Sequence, residues 1–271
     1  MKKERRGRLN ITGFVGEKEM YKIATVKEEK KPHRLEIERW ALAQARNMGI
    51  NVPAVIDYYL NDNGQEVLVL ERIKGFNIYH LSSQEKAKYM FSVGRQMVTL
   101  SNISKGFGWI DYNSKAGEYD SWQGFLFDYV KDYGERLVSV GIIQSKELKF
   151  ITEILKTLNL DLGTPYLVHR DIKPGNILVD AKKKIWVVDW ENAFLGDPLY
   201  DLATFGGSYG HGVLWSGLLS GYGLNYSLMK YHLYQTISLI GTINFCIKYR
   251  TPYLKREKRL KKLIEVLMKG S

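Results

Sequence analysis

Cysteine is nearly absent from this sequence, and so are long apolar runs. A single cysteine in 271 residues, Cys246, excludes an intramolecular disulfide and a cysteine-based metal cluster, and it makes a reducing cytoplasm the expected compartment. No apolar segment follows the basic start MKKERRGRLN, so a secretory signal is not expected. The most apolar stretch, residues 237–247, is short and contains Thr242 and Asn244, which indicates a buried helix and not a membrane span.

Acidic residues are fewer than basic ones: 29 Asp and Glu oppose 40 Lys and Arg, which gives a net charge of +11. Part of this charge lies in the tail, where apolar residues recur at helical spacing among lysines and arginines. We expect a last helix with a solvated cationic face, and association with an anionic membrane surface is the weaker alternative. A nucleic-acid partner is not expected. The apolar residues of this stripe are Leu260, Leu263, Ile264 and Leu267.

Periodicity divides the chain into a strand-rich first part and a helical second part. From Ser82 onward helical patterns dominate, and short apolar strands interrupt them between residues 166 and 190. We therefore predict the α+β class in two lobes, a small β-rich lobe over residues 1–73 and a larger helical lobe over residues 74–271. The strands predicted in the first part are 9–14, 19–26, 51–60 and 65–73, with one helix over 34–49.

The stretch VHRDIKPGNILVD, residues 168–180, crowds charged and amide side chains between two apolar segments. Asp171 and Asn176 lie on its loop, and Asp189 follows the next apolar segment. Carboxylate and amide oxygens brought together by a hairpin suit Mg²⁺, and a remaining carboxylate can orient a hydroxyl nucleophile. KPGN alone would be an ordinary turn, but a turn does not account for the second aspartate. The pattern therefore favours Mg²⁺-assisted phosphoryl transfer.

These motifs resemble the protein-kinase-like superfamily and, more narrowly, the aminoglycoside phosphotransferase and choline kinase group of small-molecule kinases. The most specific piece is VVDWENAFLGDPLYDLA, residues 187–203, which reaches GDP soon after Asp189 and leaves no room for a long activation loop. The resemblance covers nearly the whole chain. It implies a bilobal protein-kinase-like fold with ATP and Mg²⁺ as cofactors.

The resemblance also implies roles for residues of the larger lobe. Asp171 would accept the proton of the acceptor hydroxyl, and Asn176 and Asp189 would hold Mg²⁺. Lys173 matches a lysine that reaches the transferring phosphate in Ser/Thr protein kinases. The residues expected to support the loop are His169 and Asp201.

In the smaller lobe, the resemblance implies a strand lysine and a helix glutamate at the ATP site. Lys22 lies among apolar residues in MYKIAT and Glu38 lies in the following helix, so we predict this pair; Lys27 and Glu36 are the alternatives. The residues implied for adenine are Glu71 and Ile73, through their backbone groups, and Leu178 and Val188, as an apolar floor.

The hairpin that covers the phosphates departs from the family pattern. The segment before Lys22 is short and contains no GxGxxG. We therefore expect a short lid formed by residues 2–8 or 13–16, or a smaller lobe that lacks the first strand altogether.

The resulting prediction is an ATP-dependent kinase that phosphorylates a hydroxyl of a small molecule, of aminoglycoside, amino alcohol or sugar type, as a monomer or homodimer. The basic net charge counts against polycationic acceptors, although Glu118, Asp120 and Glu191 could line a local acidic pocket. One alternative is a Ser/Thr protein kinase, because the motif HRDIKPGN has the form found in protein kinases. The other is a nucleotide-binding homologue without activity. Residues 190–198 contain no Ser, Thr or Tyr to carry a phosphate, so we expect Arg170 to bond backbone carbonyls or Glu191.

Overall fold

The computed structural model describes residues 5–7, 9–25 and 33–270. Over these residues the smaller lobe is an antiparallel sheet with one helix, and the larger lobe is mostly helical. The predicted α+β class is confirmed. No helix in the described part of the chain is long and apolar enough to span a membrane.

The sheet of the smaller lobe has five strands in the order β1-β2-β3-β5-β4. The alternative without a first strand is wrong, because β1 pairs with β2 through Arg6 and Ile11. The turn between β2 and β3 lies next to the connection between the lobes, because the Lys18 carbonyl accepts from the amide of Arg72 at 2.8 Å. Residues 13–16 therefore lie toward the connection between the lobes. The strands are β1 (Arg5–Arg6), β2 (Asn10–Val15), β3 (Glu19–Ala24), β4 (Val55–Leu60) and β5 (Glu66–Glu71).

Helix α1 (Arg34–Asn47) packs its apolar face against β5. Leu35, Leu42 and Ala45 are buried on this face. The helix ends as predicted near Gly49, whose φ of 79° is the left-handed conformation that glycine adopts without strain. This packing fixes the position of the helix relative to β3.

Two further sheets form the floor of the larger lobe. Strand β6 (Gly75–Asn77) leaves the smaller lobe and joins the hairpin of β10 (Ile177–Asp180) and β11 (Ile185–Val187). The other sheet was not predicted and has the order β8-β7-β12-β9. Its strands are β7 (Phe107–Ile110), β8 (Gly117–Tyr119), β9 (Tyr166–Val168) and β12 (Phe194–Gly196).

Helix α7 (Leu228–Lys248) contacts α3 (Trp122–Ser139), α5 (Leu199–Tyr209) and α8 (Leu254–Lys269). Helices α2 and α6 approach closely at Gly217, where an added Cβ would lie 2.4 Å from the Ala87 carbonyl oxygen. The predicted apolar stripe of the last helix is buried, and most of its basic residues are exposed. The helices are α2 (Ser83–Met97), α3 (Trp122–Ser139), α4 (Ser145–Thr157), α5 (Leu199–Tyr209), α6 (Val213–Tyr222), α7 (Leu228–Lys248) and α8 (Leu254–Lys269).

Candidate active site

The HRD loop, residues 169–173, runs from β9 to the 3₁₀ turn Pro174–Asn176 at the seam between the lobes. The hairpin of β10 and β11 returns the chain to this loop, and the Val188 amide donates to the Asn176 carbonyl at 3.0 Å. Asp189 follows directly, with a φ of 72°. A left-handed aspartate costs backbone energy that its surroundings must offset, and such residues cluster at functional sites. The hairpin thus brings Asp189 beside the loop that carries Asp171.

Asp171 is held from two sides. The Nζ of Lys173 lies 2.5 Å from one carboxylate oxygen of Asp171, and Nδ2 of Asn176 donates to the same oxygen at 3.1 Å. Nδ2 of Asn176 also donates to the Asp171 carbonyl at 3.0 Å. Burial raises the pKa of Asp171, and Lys173 opposes this effect. The carboxylate is 29% exposed, so a ligand can reach it.

Asp201 lies beneath the loop and binds its backbone. Its carboxylate accepts from the amides of His169 at 3.0 Å and Arg170 at 2.6 Å, and from the Tyr222 hydroxyl at 3.2 Å. The His169 ring is fully buried and its Nε2 lies 3.1 Å from the Val188 carbonyl. Burial lowers the pKa of His169, which favours a neutral, supporting imidazole.

Lys22 of β3 extends into the cleft and contacts two carboxylates. Its Nζ lies 2.7 Å from an oxygen of Glu38 in α1 and 2.7 Å from an oxygen of Asp189. Glu38 is fully buried, and burial raises its pKa although Lys22 opposes the effect. Burial would also raise the pKa of Asp189, but Lys22 outweighs it and lowers that pKa to about 2. Asp189 is therefore ionised and able to act as a ligand.

A third carboxylate, that of Glu191, joins Glu38 and Asp189, and oxygens of the three lie within 4.8 Å of one another. Glu38 is already bound by Lys22, so Asp189 is the member of this set whose oxygens can take a cation such as Mg²⁺ from the cleft. Glu191 is also bound by Arg34, 2.6 Å away, and by the side-chain Nδ2 of Asn10 at the start of β2. No motif marked Arg34 or Asn10, because each contacts Glu191 only through the fold.

The residues predicted for adenine lie at the connection between the lobes and below it. The amide of Glu71 donates to the Ala54 carbonyl at 2.8 Å, whereas the amide of Ile73 has no backbone partner within the described ranges. Leu178 and Val188 are partly exposed apolar residues on the β10–β11 hairpin. A cavity of about 580 Å³ also adjoins residues 71–74, but neither Leu178 nor Val188 lines it.

The remaining expectations concern three residues: Lys27 and Glu36 as the alternatives to Lys22 and Glu38, and Glu191 at an acidic acceptor pocket. Lys27 lies outside the described residues. Glu36 does not contact Lys22; its carboxylate binds Lys115 at 2.7 Å and also Arg39. Glu191 is 9% exposed and paired with Arg34, so it does not line an acidic acceptor pocket.

The expectation that Arg170 bonds Glu191 or backbone carbonyls is wrong. Its guanidinium lies 4.5 Å from the ring centroid of Trp109 and 5.0 Å from that of Phe194, and it donates to the Tyr129 hydroxyl at 3.5 Å. Aromatic faces attract a guanidinium strongly enough to hold it in place. The aromatic partners come from β7, β12 and α3, whose arrangement no local pattern predicted.

The chain is similar to known phosphotransferases. It is 20% identical to the hygromycin-B 4-O-kinase of Escherichia coli over 172 residues, which is 62% of this chain, and it spans half the length of that relative. The solved ternary complex of a thermostable aminoglycoside phosphotransferase APH(4)-Ia mutant with AMP-PNP and hygromycin B matches with a TM-score of 0.76 and 15% identity, over 98% of this chain and 93% of that one. Choline kinase LicA of Streptococcus pneumoniae matches with a TM-score of 0.68 and 18% identity, over 97% and 91% of the two chains.

These structural matches share the fold of this chain at low identity. The family model of the phosphotransferase enzyme family matches residues 7–231, which include the strand lysine, the HRD loop and Asp189. The chain therefore belongs to the phosphotransferase enzyme family.

Proposed function

We propose that this protein transfers the γ-phosphate of ATP to a hydroxyl group of a small molecule. The observation that carries the proposal is the joining of two side-chain sets in one cleft. Lys22 bridges Glu38 and Asp189, and Asp171 is held by Lys173 and Asn176 on the neighbouring loop. Phosphoryl transfer requires this combination of charge neutralisation and positioning more than it requires covalent chemistry.

In the proposed reaction Asp171 accepts the proton of the acceptor hydroxyl as its oxygen attacks the γ-phosphorus. A carboxylate with a raised pKa is the stronger base, and burial raises the pKa of Asp171. Lys173 contacts that carboxylate and would neutralise charge near the transferring phosphate. Membership in the family supports these roles.

Asn176 and Asp189 would hold Mg²⁺, which when bound neutralises phosphate charge. Nδ2 of Asn176 faces Asp171, so its amide oxygen is directed elsewhere and is a suitable ligand. Lys22 would contribute a further positive charge to the phosphates, and Glu38 would orient it. The proposed adenine contacts are the backbone groups of Glu71 and Ile73 and the side chains of Leu178 and Val188.

A protein kinase activity is the less favoured alternative. The segment that would form an activation loop, residues 190–198, is almost entirely buried and includes β12. Arg170, whose counterpart in protein kinases binds a loop phosphate, is occupied by Trp109 and Phe194. Both features support a small acceptor.

The test is ATP consumption by the purified full chain with Mg²⁺ and a panel of aminoglycosides, amino alcohols, sugars and a generic protein. We expect transfer to at least one small hydroxyl compound. Asp171→Asn should reduce that transfer about 10²–10⁴-fold, the usual contribution of a positioned general base. Its affinity for ATP should remain close to that of the unmodified protein.

Asp62→Asn is the matched control. Asp62 is an exposed residue of the β4–β5 turn, and its substitution removes the same charge. Near-normal turnover by Asp171→Asn would remove this aspartate from the mechanism. Transfer to the generic protein alone would favour the protein kinase alternative.

A further inference from the structure

Two half-exposed tyrosines lie near the loop that carries Asp171. Tyr209, the last residue of α5, is 44% exposed, and Tyr79, in the 3₁₀ turn Ile78–His80, is 49% exposed. That turn packs against the 3₁₀ turn Pro174–Asn176 of the active site. Burial, Tyr79 and Asp171 together raise the pKa of Tyr209 to about 12, and Arg256 opposes them. This packing brings Tyr79 next to the turn that follows Asp171, and Tyr209 interacts with both residues.

Helix α8 brings positive charge to these tyrosines. Arg259 donates to the Gly206 carbonyl at 2.6 Å and so attaches the start of α8 to the end of α5. Arg256, one turn earlier, is exposed and makes a 3.3 Å bond to the Pro252 carbonyl through Nη1 alone. Its remaining donors are free for a ligand, because the adjacent Glu257 is paired with Lys261 at 2.7 Å.

The helices near these tyrosines carry few carboxylates. The sequence contains no Asp or Glu between Asp201 and Glu257, a segment that includes most of α5 and the whole of α6 and α7. Asp201 itself is buried and engaged by the HRD loop. A polycationic acceptor would find no compensating charge on these helices, and it would be repelled by Arg256.

We propose that Tyr79, Tyr209 and Arg256 form the acceptor-binding surface, and that the acceptor is a sugar carrying a carboxylate or phosphate group. The inference rests on the proposed phosphotransferase function and specifies its substrate class. The apolar face of a sugar ring packs on the tyrosines, and the guanidinium binds the anionic group. A sugar hydroxyl then lies toward Asp171.

ATP supplies the phosphate group that this acceptor receives. The hydroxyl oxygen forms a bond to the γ-phosphorus as the bond between that phosphorus and the β,γ-bridging oxygen breaks. ADP leaves with the electron pair of the broken bond, and the hydroxyl proton passes to the Asp171 carboxylate.

The first experiment measures binding without turnover. Glucose, glucose 6-phosphate, glucuronate, glucosamine and kanamycin are titrated calorimetrically into the full chain with AMP-PNP and Mg²⁺. The two anionic sugars should bind at least about tenfold more tightly than glucose, as expected for a guanidinium pairing with an anion, and the two cationic compounds should bind more weakly than glucose.

The variants assign the effect to residues. Arg256→Gln should remove most of the advantage of the anionic sugars and leave glucose affinity unchanged. Tyr209→Leu should weaken all sugars, whereas Tyr209→Phe should retain the ring contact and bind nearly as the unmodified chain does. Lys258→Gln is the matched control, because Lys258 is an exposed cation two residues further along α8 and points to another side of the helix.

Steady-state turnover with the same compounds separates the two proposals. Selective binding of an anionic sugar that Arg256→Gln abolishes, with no phosphate transferred to it, would support the acceptor surface and contradict the transfer function. Preference for kanamycin or glucosamine, or equal binding of all sugars, would overturn the acceptor inference and leave the transfer function intact.

Discussion

Lys22 contacts both Glu38 and Asp189, so one buried cation serves two carboxylates. The two anions are not equivalent. Glu38 is fully buried, whereas the Asp189 side chain is 30% exposed at the edge of the cleft. This difference suits Glu38 to hold the lysine and Asp189 to bind a ligand from outside.

We predict that Asp189→Ala weakens Mg²⁺-dependent ATP binding more than Lys22→Ala does. The first change removes a metal ligand, whereas the second removes one of several positive charges around the phosphates. Calorimetric titration with ATP and Mg²⁺ should show a further loss of at least about tenfold for the aspartate variant, in the range seen when metal sites are disturbed. Equal affinities for the Asp189 variant and the unmodified protein would contradict the metal assignment.

We also predict that Asp201→Asn destabilises the protein and lowers kcat. The carboxylate accepts from two buried backbone amides, and asparagine has one acceptor oxygen to replace two. An unsatisfied buried donor costs about 1–3 kcal/mol of unfolding free energy. Denaturant unfolding measures this loss, and kcat reports the displaced loop.

Asp180→Asn is the control for this prediction. Asp180 also accepts through both oxygens, one from the backbone amides of Lys182 and Lys184 and the other from the Trp186 indole N–H, but it does so in a solvated turn. Water can replace its lost hydrogen bond, so the variant should be much less destabilised. Similar losses at both positions would mean that burial of the Asp201 bonds is not the cause.

The loop between β7 and β8 connects the two lobes at the start of α1. Lys115 of this loop binds Glu36 at 2.7 Å, and the ring of Tyr112 lies 4.0 Å from that of His33. Helix α1 also carries Glu38, the partner of Lys22. The loop therefore restrains the helix that positions the lysine.

We predict a coupling of about 1 kcal/mol between Glu36 and Lys115 in a double-mutant cycle of unfolding with Glu36→Gln and Lys115→Gln, as for partly buried ion pairs. Burial would raise the pKa of Glu36, but hydrogen bonds from Arg39 and Lys115 outweigh it, and the pKa is lowered. A depressed carboxyl pKa stabilises the fold above the ordinary glutamate value of about 4.3 and loses this effect as pH falls below it. Coupling that is absent at neutral pH, or grows in acid, would contradict the prediction.

At the scale of the whole molecule, the described residues contain no separate activation loop through which phosphorylation could switch a kinase. After Asp189 the chain enters the core at once, and β12 pairs with both β7 and β9. Arg170 is held by Trp109 and Phe194, so it needs no phosphate to be ordered.

We predict that the protein is constitutively active. Protein made in bacteria and treated with phosphatase should keep its full rate with ATP and its small-molecule acceptor. Residues 190–198 contain no side chain able to carry a phosphate. A large fall in activity after treatment would move the protein kinase alternative ahead of the small-molecule one.

The local sequence pattern predicted those features that are formed by residues close together along the chain. The period of α1 and its stop near Gly49, the alternation of β2 to β5, and the contiguous HRD loop could all be predicted from sequence. A helical or alternating pattern repeats over many residues, so its signal accumulates. The proximity of Lys22 and Glu38 was implied by the family resemblance. Periodicity alone does not show which residue of the strand meets which residue of the helix.

Only the tertiary structure decided which distant side chains meet. Strands β7, β8 and β12 have three or four residues each, too few for an alternation to be recognised, and Leu195 pairs with Gly108 far along the chain. The contacts of Arg34 with Glu191 and of Arg170 with Trp109 join residues from different elements. Such contacts depend on how the elements pack, and no spacing within the sequence encodes them.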